Sequence, residues 1–204
     1  MTSPTAPRGP PRRQLWLLVA VFFVPLAAAF VLYYGLDGWR PAGSTAHGDL
    51  IRPARPLPRV ALDTPSGEPL APDFLRGHWT LVYIGDGACD ERCRAALRHM
   101  RQVRLALGDE MSRVERVFLY TDSCCDTGYL SAEHPGLIVA WLDATAGAEL
   151  LEPFPTYDGI APAAARRIYV VDPLGNLMMS YAPDAPARGM LEDLKKLLKL
   201  SHIG

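Results

Sequence analysis

The sequence predicts an α/β domain, built on a central mixed sheet flanked by helices, behind one N-terminal transmembrane helix. Three observations predict this architecture: an uncharged apolar run at residues 15–36, two β-prone runs enclosing a helical one at residues 80–121, and a hairpin pattern followed by an amphipathic helix at the end. The 204 residues include 21 basic and 22 acidic ones, so the chain lacks the basic excess of a nucleic-acid-binding protein.

The apolar run LWLLVAVFFVPLAAAFVLYYGL is long enough, as a helix, to cross the ~30 Å hydrocarbon core of a bilayer. Aromatic residues lie near both ends, as in interfacial belts: Trp16, Tyr33, Tyr34 and Trp39. Arginines without acidic neighbours precede it: Arg8, Arg12 and Arg13. The positive-inside rule therefore places residues 1–14 in the cytoplasm and exports everything after the span. Two alternatives are less favoured. A cleaved signal peptide also leads to export, but signal peptides have a shorter apolar stretch. A buried helix of a soluble protein should show polar residues on some face, and this run has none.

Residues 37–58 are rich in Pro, Gly and Arg and show no periodicity, which predicts a semi-rigid tether. Residues 59–204 are then the exported domain. Its first segment, VALDTPSGEPL at residues 60–70, has the pattern of a short strand, a turn and a return.

The middle of the domain has the pattern of a strand–helix–strand unit. TLVYIG (residues 80–85) and VERVFLYT (residues 114–121) are continuous apolar runs, typical of strands buried on both faces, and the segment from Cys89 to about Leu107 is helical. The two strands should be parallel, joined by a right-handed crossover. Residues 137–144 are ambiguous between strand and helix.

The end of the chain predicts a hairpin over residues 167–181, with its turn at DPLGN, and a final helix over residues 187–200 with one apolar face. A strand–helix–strand unit followed by a hairpin and a closing helix is the element order of a thioredoxin-like fold.

All four cysteines lie in the exported part, where disulfides are permitted, and four cysteines allow three connectivities. Cys89 lies where the first buried strand gives way to the helix, and Cys93 lies one turn further on the same face. The amide groups and dipole of a helix start favour a thiolate. The pair can form a disulfide or hold one soft metal ion such as Cu(I) or Zn. An inert disulfide stapling the helix start is the alternative.

The second pair, Cys124 and Cys125, follows the second buried strand and should emerge at the same edge of the sheet as Cys89. It could supply a further soft ligand or a resolving thiol, or consist of idle thiols. A disulfide between adjacent cysteines is the least favoured connectivity, because it needs a strained local geometry. His134, in the loop after the second strand, is a further candidate ligand.

The segment FLRGHWTLVYIGDGACDERC (residues 74–93) resembles the signature of the Sco/SenC family, in which a strand and a Gly-containing turn precede two cysteines separated by three residues. DSCCDT (residues 122–127) is similar to the family's Asp-Pro-x-Arg-Asp-Thr segment, and IYVVDPLGN (residues 168–176) to its penultimate strand and turn. These matches span nearly all of residues 60–200 in the right order.

The resemblance implies a membrane-tethered assembly factor for the copper-bearing subunit of cytochrome c oxidase, acting by Cu(I) delivery or by thiol–disulfide exchange. Cys89 and Cys93 correspond to the family's copper-binding cysteines. Its third ligand, a histidine, corresponds to Ala164, and this loss favours thiol–disulfide exchange. The predicted location is the inner membrane of a bacterium, since the N-terminal segment is too short to carry a mitochondrial address.

Two other functional classes stay open from the sequence. A non-catalytic assembly or docking protein could keep this fold and lose the chemistry, although the retained cysteine spacing argues against it. A thiol peroxidase has a related fold, but its reactive cysteine is expected near a supporting Thr and Arg, and DGAC (residues 86–89) lacks the threonine.

Overall fold

The computed structural model describes residues 12–35, 45–122, 124–201 and 203. The chain divides into two compact units, Met1–Gly43 and Ser44–Gly204. Two predicted segments fall partly outside the described residues. These parts are residues 1–11 of the cytoplasmic tail and residues 37–44 of the tether, which include Trp39.

The first unit contains one helix, α1 (Arg12–Gly35), which covers most of the predicted span. Its side chains are apolar around the whole circumference after the first residues, as expected of a helix surrounded by lipid. The stretch Arg12–Leu32 is long and apolar enough to cross a membrane. Pro25 lies inside the helix, a position that membrane helices tolerate.

The second unit is built on one six-stranded sheet. Its strands are β1 (Asp49–Pro56), β2 (Trp79–Asp86), β3 (Val114–Thr121), β4 (Leu137–Trp141), β5 (Ile168–Val171) and β6 (Asn176–Tyr181). Their order across the sheet is β1-β6-β5-β2-β3-β4. Strands β2, β3 and β4 are parallel, whereas β5, β6 and β1 join through antiparallel pairs. The predicted parallel pair and the predicted hairpin are both confirmed.

Helices cover both faces of this sheet. They are α2 (Glu91–Ala106), α3 (Thr127–Glu133), α4 (Ala146–Leu151) and α5 (Ala187–Leu200), with a 3-10 turn at Gly108–Arg113. Side chains alternate along β3, so that Phe118 packs in the core under α2 and α5 while Val117 packs in the core on the other face, near α4. Burial on both faces explains why β2 and β3 are continuous apolar runs.

The structure corrects the prediction for the start of the domain, since β1 lies inside the predicted tether. Its sequence DLIRPARP buries only Ile51, and it pairs with β6 at one edge of the sheet. Prolines are tolerated on edge strands, where one side of the backbone makes no ladder hydrogen bonds. Strand β1 therefore carries no periodic apolar signal by which it could be recognised.

Three smaller differences concern the domain's other elements. The predicted strand at residues 60–70 is reduced to one isolated bridge between Asp63 and Pro69. The ambiguous stretch at residues 137–144 begins with β4. Helices α3 and α4 were not predicted, because six or seven residues are too few to display a helical period.

Candidate redox-active site

The first cysteine pair lies at the carboxyl end of β2, in a short turn that leads into α2. The Gly87 N–H donates to the carbonyl oxygen of Thr121 at 3.0 Å, which ties this turn to the end of β3. The Cys89 N–H then donates to the carbonyl oxygen of Asp86 at 3.1 Å, and Cys89 has a φ of 42°. The turn thus brings the Cys89 side chain back toward the helix start.

Cys89 and Cys93 form a disulfide with their Cα atoms 5.0 Å apart. This separation lies within the range that disulfides normally span. The two residues are only 5% and 2% exposed and belong to the core beneath α2. Both predicted cysteines are therefore brought together, in a pair that is shielded from solvent.

Asp90 caps the first turn of α2 and fixes the backbone of the second cysteine. One of its carboxylate oxygens, Oδ1, accepts from the Cys93 N–H at 3.0 Å, as N-cap aspartates commonly do. The other oxygen accepts from Arg166 Nη1 at 2.5 Å. The hydrogen bond from Cys93 N–H, followed by that from Arg166, holds the pKa of Asp90 below its usual range.

Arg166 is the residue that sequence reasoning missed. It lies in the loop before β5, has a φ of 52°, and places its guanidinium beside the start of α2. Ala164, the position at which the sequence resemblance leads us to expect a copper-binding histidine, lies two residues earlier in the same loop and is exposed. The signal in the sequence was the Arg166–Arg167 pair, but nothing local indicates that Arg166 would face Asp90, which lies 76 positions away.

The donor set around the disulfide does not fit a three-ligand copper centre. Within residues 12–35, 45–122, 124–201 and 203, no group of three or more His, Cys, Asp or Glu side chains is placed to hold a metal ion. The loop that would supply the third ligand supplies a guanidinium instead, which has no lone pair to offer a metal.

A cleft of about 430 Å³ opens beside the start of α2. It is lined in part by Tyr83, Arg92, Arg166 and Asp184. Burial raises the pKa of Tyr83 to about 12, with Arg166 opposing and Asp90 reinforcing the shift, so the phenol is neutral at physiological pH. The cleft therefore combines two cationic side chains, one aspartate side chain and a neutral hydroxyl next to the cysteine-bearing turn.

The second cysteine pair also lies at the carboxyl edge of the sheet, in the turn between β3 and α3, as predicted from the parallel strands. Cys124 and Cys125 form a disulfide, which is the connectivity that sequence reasoning had placed last. The backbone of this turn is irregular, with positive φ at Asp122 and Cys125. Adjacent side chains in such a turn are not directed to opposite sides, as they would be along a strand.

The starts of α2 and α3 contact each other. Asp126 caps α3 by accepting from the Tyr129 N–H at 2.9 Å. The guanidinium of Arg94 lies 4.8 Å from the centre of the Tyr129 ring, a cation–π contact between the two helices. Cys125 is half-buried and packs against the core that contains Cys89 and Cys93, while Cys124 is exposed.

The structure does not bring His134 to the cysteines. It follows α3 and precedes β4, whose residue Leu137 pairs with Arg116 near the amino end of β3. His134 is 2% exposed, and its Nε2 lies 3.3 Å from the hydroxyl of Tyr129. Burial, together with the charge of Arg116, lowers the pKa of His134. It therefore lies toward the opposite edge of the parallel strands from both cysteine pairs.

Comparison with solved structures gives relatives of the same fold. The solution structure of apo Sco1 from Thermus thermophilus is 21% identical, with a TM-score of 0.61, over 76% of this chain and 99% of that chain. ScoI from Bradyrhizobium japonicum with copper bound is 23% identical, with a TM-score of 0.55, over 69% of this chain and 98% of that chain. A thiol:disulfide interchange protein of the thioredoxin family from Chlorobium tepidum is 20% identical, with a TM-score of 0.51, over 72% of this chain and 97% of that chain.

These relatives confirm the predicted thioredoxin-like fold and, at the level of the fold, the resemblance to Sco/SenC proteins. Comparison with curated protein sequences gave no match. A family model described as transmembrane-like, thioredoxin-like, C-terminal domain matches residues 79–201. This match runs from the first residue of β2 to just past α5 and includes both cysteine pairs. The chain therefore belongs to this family of transmembrane-like proteins with a thioredoxin-like C-terminal domain.

Proposed function

We propose that this protein is a Sco-like assembly factor for cytochrome c oxidase in the inner membrane of a bacterium. Helix α1 is its single-pass anchor, the N-terminus is cytoplasmic, and the thioredoxin-like domain is periplasmic. It acts as a thiol–disulfide oxidoreductase on the copper-site thiols of the oxidase's copper-bearing subunit. The observation that carries this proposal is the Cys89–Cys93 disulfide at the start of α2, with Asp90 capping the helix between the two cysteines.

The exchange proceeds in two steps in which atoms and electrons balance. The Cys89 thiolate attacks one sulfur of a disulfide in the target, forming a mixed disulfide and releasing one target thiolate. The Cys93 thiolate then attacks Cys89 Sγ, expelling the second target thiolate and forming the Cys89–Cys93 disulfide. Two electrons pass to the target, whose thiols take up two protons and become free to bind metal.

The surroundings of the pair support thiol–disulfide exchange. The helix start favours a thiolate, Arg166 neutralises the Asp90 carboxylate that would oppose it, and a thiolate is the attacking species in exchange. Cys89 is assigned as the attacking residue because it lies ahead of the N-cap, where α2 begins. Cys93 is the less exposed of the two and is assigned as the resolving residue.

Delivery of Cu(I) as cargo is the second candidate mechanism, and it is favoured by the copper-bound relative of the same fold. In that case Cys89 and Cys93 in reduced form would be the Cu(I) ligands, with Cys124 or Cys125 as an added sulfur donor. His134 is the weakest of the candidate ligands, since it lies near the amino end of the parallel strands.

The deciding experiment uses the full chain in detergent micelles. Its redox state is set with dithiothreitol mixtures and read by alkylation and mass spectrometry. We expect the Cys89–Cys93 pair to give a reversible two-electron couple, which is lost in Cys89→Ser. We also expect the reduced protein to reduce the oxidised copper-bearing subunit, with Cys93→Ser trapping a mixed disulfide between Cys89 and the subunit.

The same preparation, fully reduced, is titrated with Cu(I) against a competing chelator. One tightly bound Cu(I) that is lost in Cys89→Ser, without reduction of the subunit's disulfide, would replace exchange by copper delivery. A protein that neither reduces the subunit nor competes for Cu(I), yet still binds the subunit, would be a non-catalytic docking factor. Turnover of peroxide by Cys89 would instead identify a thiol peroxidase.

A further inference from the structure

We infer that Cys124 and Cys125 form a second redox centre, which accepts electrons from the dithiol of an outside protein and passes them inward to the buried Cys89–Cys93 pair. This inference rests on the thiol chemistry proposed for Cys89 and Cys93. It adds a relay within the domain and gives the second pair a function of its own.

The two pairs differ in access from outside. Cys89 and Cys93 are 5% and 2% exposed, whereas Cys124 is an exposed residue and Cys125 is half-buried. Thiol–disulfide exchange requires the attacking sulfur to approach a disulfide sulfur directly. A dithiol carried by another protein therefore reaches Cys124 before it reaches either member of the inner pair.

The two pairs also lie at neighbouring positions in the fold. Strands β2 and β3 pair in parallel with Asp86 opposite Thr121, and each strand leads directly into a cysteine-bearing turn. The contact between Arg94 and Tyr129 holds the following helices together. Cys125 packs against the same core that contains Cys89 and Cys93.

Both turns share one local arrangement. In each, a cysteine immediately precedes an aspartate whose side chain accepts a hydrogen bond from the backbone three residues further on. Asp90 accepts from Cys93 N–H at 3.0 Å, and Asp126 accepts from Tyr129 N–H at 2.9 Å. The caps fix the backbone that follows Cys89 and Cys125, so each turn presents its cysteine from a defined position.

The relay conserves electrons at each step. A dithiol of a partner protein reduces the Cys124–Cys125 disulfide and is itself oxidised to a disulfide. The Cys125 thiolate then attacks the Cys89–Cys93 disulfide, forming a mixed disulfide and releasing one thiolate of the inner pair. Cys124 attacks Cys125 Sγ, which releases the second inner thiolate and restores the outer disulfide. Two electrons have moved inward, and two protons follow them to the inner thiols.

The test uses the oxidised full chain in detergent micelles, with reduced thioredoxin as the protein dithiol and dithiothreitol as the small one. We expect thioredoxin to reduce Cys89–Cys93 at least about tenfold more slowly in Cys124→Ser/Cys125→Ser than in the unaltered chain, because the accessible disulfide has been removed. Reduction by dithiothreitol should be nearly unchanged, which shows that the inner pair of the variant is intact.

A second measurement detects the internal step directly. In Cys124→Ser, Cys125 can attack the inner disulfide, but no Cys124 thiol is present to complete the exchange. Alkylation of the inner thiol that is released then prevents it from attacking the mixed disulfide and expelling Cys125. After alkylation and trypsin digestion, we expect a disulfide between the peptide of residues 117–166, which contains Cys125, and a peptide containing Cys89 or Cys93. Equal thioredoxin rates in the two chains, together with absence of this cross-link, would overturn the relay.

Failure of the relay and failure of the proposed function give different results. If the relay is absent, Cys124→Ser/Cys125→Ser still reduces the oxidase subunit once its inner pair has been reduced. If the proposed function is wrong, the inner pair fails to reduce the subunit in every variant, whereas the internal cross-link still forms.

Discussion

At the residue scale, Asp90 links the start of α2 to the guanidinium of Arg166. It accepts from the Cys93 N–H with one carboxylate oxygen and from Arg166 with the other. The ion pair is half-exposed, so its contribution to the free energy of unfolding is small. Its effect on redox chemistry is different, because a charge near a thiolate changes the relative free energies of the reduced and oxidised forms.

Opposite substitutions at this ion pair should shift the midpoint potential of the Cys89–Cys93 couple in opposite directions. Arg166→Ala leaves the Asp90 carboxylate unneutralised, which disfavours the thiolate and makes the potential more negative by about 10–20 mV. Asp90→Asn keeps a capping side chain but removes the negative charge, so the potential should rise by a similar amount, about 10–20 mV. Equilibration with glutathione buffers measures both shifts.

The matched control is Arg188→Ala, which breaks an ion pair with Glu192 on the surface of α5. That pair lies outside the cysteine turns, so the midpoint potential should be unchanged. Shifts of the same sign in Arg166→Ala and Asp90→Asn would contradict the electrostatic explanation and indicate a change in the conformation of the turn.

At the scale of elements, Asp193 on α5 holds the start of β1 to the rest of the sheet. Its buried carboxylate accepts from the N–H groups of His47 and Gly48, at 2.7 and 3.1 Å, and from the hydroxyl of Tyr181 at 3.1 Å. Burial alone would raise the pKa of Asp193, but the hydrogen bonds from His47, Gly48 and Tyr181 outweigh it and hold the pKa below its usual range.

Removing this carboxylate should destabilise the domain. Asp193→Ala is expected to lower the free energy of unfolding by about 3 kcal/mol, since three donors lose a common acceptor. Urea unfolding of the full chain in micelles, followed by near-ultraviolet circular dichroism, measures the difference. Asp184→Ala, which alters an exposed aspartate ahead of α5, should change it by less than about 0.5 kcal/mol.

The pH dependence has a defined sign. Because the folded-state pKa of Asp193 is lowered, its stabilising contribution is fully present above the unfolded-state value of about 3.9 and is lost as the pH falls through the folded-state pKa. The difference in stability between the unaltered chain and Asp193→Asn should therefore shrink below about pH 4. A constant difference from neutral to acid pH would show that Asp193 is not ionised in the folded protein.

The extent to which a strand is buried decides whether it could be predicted from the sequence. Strands β2 and β3 are buried on both faces, so burial itself produces the apolar runs that reveal them. Strand β1 buries one residue and is held by hydrogen bonds with β6, about 130 positions away along the chain. Such pairing depends on the partner strand and leaves no local pattern.

The same distinction applies to the candidate site. Cys89 and Cys93 could be predicted because one helical turn brings them together, and Cys124 and Cys125 because parallel strands end at one edge. The role of Arg166 could not be predicted, because the conformation of a long loop decides where its side chain points. The position of His134 could not be predicted either, since it depends on α3, which returns the chain to the amino end of β4.

At the scale of the whole molecule, an apolar helix and a domain with two disulfides belong to one chain of net charge -1. Helix α1 has the length and composition of a membrane span, and disulfides persist in oxidising compartments. The span requires a membrane, and the disulfides require an oxidising compartment. The proposed orientation meets both requirements.

The orientation can be measured in bacterial spheroplasts that produce the full chain. We expect the protein to remain with the membranes after alkaline carbonate extraction. We also expect a membrane-impermeant maleimide to label it after impermeant reduction, because Cys124 is solvent-exposed and the proposed orientation places it outside the cytoplasm. Cys124→Ser should lose most of this labelling. Labelling only after the membrane has been permeabilised would place the domain in the cytoplasm.

The pairing of β1 with β6 has a consequence for the order in which the protein is made. Ribosomes synthesise β1 long before its partner β6, so this edge of the sheet cannot pair until β6 has been produced. Both disulfides, in contrast, join cysteines only four positions and one position apart. Each can close within its own short segment, and neither has to wait for distant parts of the polypeptide to meet.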